Sequence, residues 1–260
     1  MSDIPVVLSV RLESSRLPAK CMLPLGSCKT VIEFIVERAK IHGLRPIVFT
    51  SIEKSDDIIE LECVRIKVEY FRGELSNKLV RWKYGLEYFG LTWAHFADMD
   101  DPFLDANQIK LSVDTFNLKS LDMLMTSELS DSGFASVGTS IRNTFLGRVV
   151  SRVLSFEHQD FDVIPWHLLV SETDAVKRFQ DIKYTNRDDL RLTLDYVEDY
   201  QLLNTLAHLF GPGASRESIE VYLDKNPDLL ELNRQRSRDF RRNKQAKLSK
   251  FKSDSTMEVN

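Results

Sequence analysis

The alternation of strand-like and helix-like segments along the N-terminal part of this chain most constrains its fold. VVLSV (Val6–Val10) is a short apolar run rich in β-branched residues. TVIEFIVERAKIHG follows, with Val31, Ile32, Ile35 and Val36 at helical spacing and Gly43 suited to close a helix. RPIVFTS predicts a second strand. SDDIIELE predicts a helix start capped by Ser55. IKVEYF predicts a third strand ending at Arg72-Gly73. SNKLVRWKYGLEYFG predicts a helix capped by Ser76, and WAHFADMDD a fourth strand running into acids. Strands alternating with helices of this length predict βαβ units, a mostly parallel sheet and right-handed crossovers. Functional groups are then expected at the carboxyl ends of the strands, near a topological switch point. Three polar clusters fall there: a basic loop after strand one, Arg72-Gly73, and the acids after strand four.

Further along, SLDMLMTSE predicts a strand, and DSGFASVGTSIRNTFLGRVVSRVL an insertion ending in a helix. RLTLDYVEDYQLLNTLAHLFG predicts a strand, a turn and a helix with Leu202, Leu203, Leu206 and Leu209 on its inner side. The 260 residues suit one α/β domain with an elaboration. The expected division is a main domain over 1–235, carrying an inserted α+β subdomain from about 130 to 185, then a basic C-terminal helix or tail over 236–260.

The net charge of −4 argues against bulk nucleic-acid binding. Charge is unevenly placed: Arg234 to Lys252 holds nine Lys/Arg and one acid, Asp239. Such a stretch would suit nucleic acid or an anionic membrane, but a solvated helix or a mobile tail is the preferred reading, with an acidic face of a partner subunit as a place for the helix to lie. No run of 18 apolar residues exists, so no membrane span is expected. MSDIPVVLSV lacks a basic n-region and reads as a strand. Cys21, Cys28 and Cys63 are odd in number and lack zinc spacing. They are expected to be small buried residues of a cytoplasmic protein.

The loop RLESSRLPAKCMLPL places Arg11, Arg16 and Lys20 among serines just past strand one. Arg offers phosphate a planar fork of donors, Lys a compact charge, and turn amides add further donors. The loop is neither a Walker A sequence nor a glycine-rich dinucleotide fingerprint. Asp98, Asp100 and Asp101 follow strand four, and Asp195 follows a predicted short strand. Asp100 and Asp195 would share a Mg²⁺ ion, which needs only one or two protein carboxylates beside substrate phosphates. Asp105 and Asp199 suit helix caps or first turns instead. A basic loop facing such acids suggests nucleotidyl transfer, in which position and charge do most of the work. The five histidines form no triad or metal pattern.

These residues resemble a family. VRLESSRLPAKCMLPL resembles the N-terminal signature of the sugar-activating cytidylyltransferases, roughly A-R-x-x-S-[ST]-R-L-P-G-K-x-L-x-x-L, shared by the spore-coat-polysaccharide branch and the CMP-Kdo synthetases. TSIEKSDDIIEL, VEYFRGELSNKLVRW, MDDPFLD and RLTLDYVEDYQLL are similar to further family segments in the same order. The resemblance covers about residues 5–110 and 185–205. It implies an α/β, GT-A-like nucleotidyltransferase fold that joins CTP to a sugar acid and releases pyrophosphate. It implies that Arg11, Arg16 and Lys20 hold the triphosphate with Asp100 in catalysis. Ser14 and Ser15 would line the same turn. Ser9, Val10, Thr50, Arg72, Gly73 and Asp98 would border the nucleotide, and Asp100 and Asp195 would hold Mg²⁺. It also implies a homodimer. Arg142, Trp166 and His167 are the candidates for an anionic acceptor.

The chain departs from the family at several positions. Glu13 stands where relatives have Gly or Ala. Ala19 replaces a Gly and is expected to lose access to positive φ. Asn77 replaces Asp, Asp98-Met99 replaces Thr-Gly, and Phe96 stands where Arg is common. Other readings keep the fold with another nucleoside triphosphate, a phosphate or phosphonate acceptor, or a nucleotide-sugar donor. A non-catalytic nucleotide-binding relative is a further one, with Glu13 and Ala19 as its support.

Overall fold

The computed structural model describes residues 3–126, 137–153, 177–179, 189–239 and 242. Seven strands form one sheet: β1 (Ile4–Ser9), β2 (Leu44–Ser51), β3 (Glu69–Gly73), β4 (Trp93–Asp98), β5 (Met123–Thr126), β6 (Thr139–Arg142) and β7 (Lys177–Phe179). Their order is β3-β2-β1-β4-β6-β5-β7. Only the β4–β6 and β5–β6 pairings are antiparallel. The chain winds from β1 outward to β3 and then returns to place β4 on the other side of β1. That reversal opens a crevice at the carboxyl ends of β1 and β4.

All six β1 residues are buried, as a central parallel strand covered on both faces requires. Val6 and Leu8 pack on one face with α1 (Val31–Ile41), α4 (Ala106–Leu118) and α6 (Val197–Phe210). Val7 packs on the other with α3 (Lys78–Tyr88) and α5 (Asn143–Val153). α2 (Asp57–Arg65), α7 (Arg216–Lys225) and the short α8 (Asp228–Glu231) join the first layer. No helix among the described residues is long and apolar enough to cross a membrane. The three cysteines are free and buried, as expected.

Several local expectations are corrected. Asn77, not Ser76, caps α3: its side chain accepts from Val80 N–H, whereas the Ser76 hydroxyl donates to Glu74. Ser55 does not cap α2, which starts at Asp57 after a 3-10 turn. Arg191 to Asp195 is not a strand. It is an extended segment tied by Leu194 N–H to Asp100 O at 2.7 Å, too little pairing for a ladder. Leu209 is exposed, and Ala207 takes the inner position on α6. Within the expected insertion, β6 and β7 belong to the main sheet and α5 to its second layer. The expected caps hold for Asp105, which accepts from Asn107 and Gln108, and Asp199, which closes the start of α6.

His95, on β4, is fully buried between Val137 O and the Ser140 hydroxyl. Burial lowers its pKa from 6.5 to about 4, although the Val137 carbonyl favours the charged ring. The unfolded chain therefore binds more protons between these values. His95 contributes stability above about pH 6.5 that is lost as pH falls toward 4, amounting to about 3 kcal/mol. Urea midpoints between pH 7 and 4.5 should fall more steeply in wild type than in His95→Gln; equal slopes would refute this.

Candidate active site

The basic loop is held where it leaves β1. Val10 N–H bonds Phe49 O at 3.0 Å, and Leu12 N–H bonds Asp56 Oδ1 at 2.8 Å. Asp56 is buried and also accepts from the Thr50 and Ser51 hydroxyls and Ser51 N–H. One carboxylate thus ties the loop to the end of β2. Arg11, Glu13, Ser15 and Arg16 are exposed on the loop, and Ser14 is half-buried.

The chain then turns inward at Ala19, which adopts φ 51°, ψ 30° before the 3-10 turn Lys20–Met22. The expectation that alanine loses this conformation is therefore wrong: the fold imposes it on a Cβ-bearing residue. Left-handed backbone costs such a residue roughly 1–2 kcal/mol, and glycine gives back about 0.5–1 in unfolded-chain entropy. Ala19→Gly should raise the melting temperature by about 2 °C, measured calorimetrically. A fall would show that the alanine is not strained.

The turn carries Lys20 under the sheet edge. Its ammonium lies 2.7 Å from Asp100 Oδ2, 3.0 Å from Asp195 Oδ1 and 2.7 Å from Leu194 O. Arg16 adds a bond to Asp195 Oδ1 at 2.7 Å. The other oxygen of Asp195 takes Arg191 at 2.9 Å. Arg191 is buried and also grips Asp199, which accepts in turn from Asn233. Burial pulls the Lys20 pKa down, but Asp100 and Asp195 outweigh it and the net shift is upward. Burial pushes Asp195 up, and Lys20, Arg16 and Arg191 hold it below the usual carboxylate range. Asp100, with Lys20 as its cation and two acids nearby, is raised by burial. Next to it, Asp101 accepts from the Thr193 hydroxyl, which stitches the 191–195 segment to the end of β4.

The structure therefore brings together Arg16, Lys20, Asp100 and Asp195 from three distant parts of the chain. Ser9 and Asp98 end β1 and β4 beside them. The Ser9 hydroxyl accepts from Trp82 Nε1 at 2.6 Å, and Asp98 pairs with Lys78 at 2.6 Å. Thr50 and Arg72 do other work. Thr50 is buried against Asp56. Arg72 braces the β2–α2 connection through Ser51 O, Glu53 O, Asp57 and Glu60. Gly73 is required by packing, since a Cβ there would lie 2.7 Å from the Phe71 ring. Arg142 is misplaced for an acceptor role. It pairs in register with Trp93 at the amino end of β4, donates to Leu121 O and covers Phe116. Antiparallel β6 carries it to the edge opposite the site. Trp166 and His167 lie outside the described residues.

Sequence reasoning missed Asp56, Lys78, Arg191 and Asn233. Asp56 and Arg191 stand inside segments that resemble the family, TSIEKSDDIIEL and RLTLDYVEDY; Asn233 carries no local signal.

Among the described residues no three or more His, Cys, Asp or Glu side chains converge as a metal site. Two carboxylates do converge on one cation, the Lys20 ammonium. That donor set fits Mg²⁺, which takes few protein carboxylates when substrate phosphates complete its shell.

Comparison with known proteins agrees with this fold. A family profile described as cytidylyltransferase matches residues 6–146, more than half of the chain. The chain is 25% identical over 241 residues to the spore coat polysaccharide biosynthesis protein SpsF of Bacillus subtilis, spanning 88% of this chain and 97% of the relative. A cytidylyltransferase from Leptospira borgpetersenii superposes with a TM-score of 0.76 at 21% identity, covering 88% of this chain and 97% of that one. A CMP:2-keto-3-deoxy-manno-octonic acid synthetase solved with CTP superposes with a TM-score of 0.54 at 13% identity, covering 80% and 99%.

Proposed function

The chain belongs to the cytidylyltransferase family, a nucleotidyltransferase enzyme by that membership, and from this we propose that it transfers CMP from CTP to an anionic sugar acid of the 3-deoxy-ulosonic or sialic type, releasing pyrophosphate. The observation that carries the reading is the convergence of Arg16 and Lys20 with Asp100 and Asp195 at the switch point of the sheet. The relative named for spore coat polysaccharide biosynthesis supports a sugar acceptor. The enzyme acts in the cytoplasm as a homodimer.

Arg16 and Lys20 bind the triphosphate, and Arg11 on the loop rim draws it in. Asp100 and Asp195 would hold Mg²⁺, which would supply further charge neutralisation at the phosphates when bound. An acceptor hydroxyl oxygen forms a bond to the α-phosphorus and gives up its proton to solvent, and the bond from that phosphorus to the bridging oxygen breaks. Pyrophosphate leaves with the electron pair. Lys20 faces the charge that develops on the phosphates, so it stabilises the transition state electrostatically. Asp56 keeps the loop in place through Leu12 N–H.

The test is pyrophosphate release from CTP with Mg²⁺ across a panel of acceptors. A sugar acid with a carboxylate beside its anomeric centre should give release at least tenfold above a phosphate or phosphonate acceptor. Release only with phosphate acceptors would reject the sugar-acid reading, and no release with any acceptor would reject transfer.

A further inference from the structure

The helix α2 lies away from the site and has two unlike faces. Ile59, Glu62 and Cys63 are buried against the body of the protein, and Glu60 bonds Tyr70 and Arg72 of β3. The outer face consists of Asp57, Ile58, Leu61, Val64 and Arg65. Its apolar members Ile58, Leu61 and Val64 are 45%, 69% and 60% exposed, and Ile52, just after β2, is 62% exposed. Single exposed apolar residues are ordinary on a protein surface, but a run of them along one helix face marks an interaction surface.

The order of this face is self-complementary about Leu61. Ile58 and Val64 lie three residues to either side of it, and Asp57 and Arg65 four. The charges around the helix follow the same order. At its start Glu53, Asp56, Asp57 and Glu60 outnumber Lys54 and Arg72. At its end Lys40, Arg65 and Lys67 outnumber Glu33 and Glu62. A surface that is negative at one end, positive at the other and apolar between is complementary to its own copy turned end for end.

We infer that the outer face of α2 is an interface between two copies of this chain, packed antiparallel about a two-fold axis through Leu61. Ile58 then meets the partner's Val64, and Asp57 the partner's Arg65. The negative end of each helix lies beside the positive end of the other, and the two helix dipoles run in opposite directions, which is their favourable arrangement. The inference rests on the homodimer proposed above and not on the nucleotide reading. One helix pair is a small contact, so the dissociation constant is expected in the micromolar range. The contact also bears on the basic loop. α2 starts directly after Asp56, the carboxylate that holds Leu12 N–H, so a second copy seated on α2 braces the anchor of that loop.

Sedimentation velocity of the full chain between about 1 and 300 µM tests the interface. Wild type should pass from monomer to dimer as concentration rises. Leu61→Lys changes an exposed position and leaves the core intact, so the variant should melt as wild type does. It should raise the dissociation constant by about tenfold or more, because two ammonium groups then face each other on the axis. Leu61→Cys should link two chains by a disulfide under mild oxidation, whereas wild type, whose three cysteines are buried, should not. A dimer that survives Leu61→Lys would overturn the inference and leave the homodimer standing on another face. A monomer at every concentration would overturn both. Slow maleimide labelling of Leu61→Cys in that monomer would then assign the stripe to the chain's own C-terminal segment, and fast labelling would leave it uncovered.

Discussion

Replacing Lys20 by methionine is expected to lower kcat/KM for CTP by about 10²–10³, the usual effect of removing one preorganised donor from a developing phosphate charge. The side chain lies within 3.0 Å of two carboxylates and a carbonyl, so its position is over-determined rather than free. Methionine keeps the volume and removes the charge. Asp195 retains Arg16 and Arg191 in the variant, so folding should survive and the loss should fall on catalysis and nucleotide affinity. Steady-state kinetics beside a melting curve separates the two. Activity within fivefold of wild type would remove Lys20 from the chemistry.

The largest effect on stability is expected at Arg191. Its side chain is about 1% exposed and bonds Asp195 and Asp199, which are equally buried. Arg191→Met strands two carboxylates without their shared partner. Breaking a buried pair on one side costs about 3–5 kcal/mol, which for a chain of this size is a fall of about 10 °C in melting temperature. Asp199→Asn in the same chain should recover part of that loss, because the amide keeps its acceptor for Asp195 and Tyr196 N–H and carries no charge. A double variant less destabilised than the sum of the singles is the expected signature. Strict additivity would mean that Arg191 and Asp199 act independently.

The first half of the fold was legible because its strands are short and apolar and its helices periodic. β1 to β4 and α1 to α3 therefore stand where their patterns put them, and the basic loop meets the acids because both leave carboxyl ends of strands. That the signature loop would face Asp100 was legible for the same reason. What was not legible is long-range. Arg142 is a cation next to a strand, and sequence does not say that an antiparallel partner turns it to the far edge. Arg191 to Asp195 has strand-like alternation, yet its backbone pairs with the β4 loop at one point. Asp56 and Asn233 act through partners 44 and 42 residues away. Ala19 misled for a physical reason: a sequence preference against positive φ was outweighed by the contacts that the turn secures for Lys20.

The central claim is that the loop after β1 is a CTP cradle. Thermal stabilisation by each nucleoside triphosphate with Mg²⁺, in wild type and in Lys20→Met, tests it most directly, since a ligand specific to the folded state raises stability by mass action. The account predicts protection of wild type by CTP above the other triphosphates, and its loss in Lys20→Met. Protection by no triphosphate, or equal protection of the variant, would contradict it.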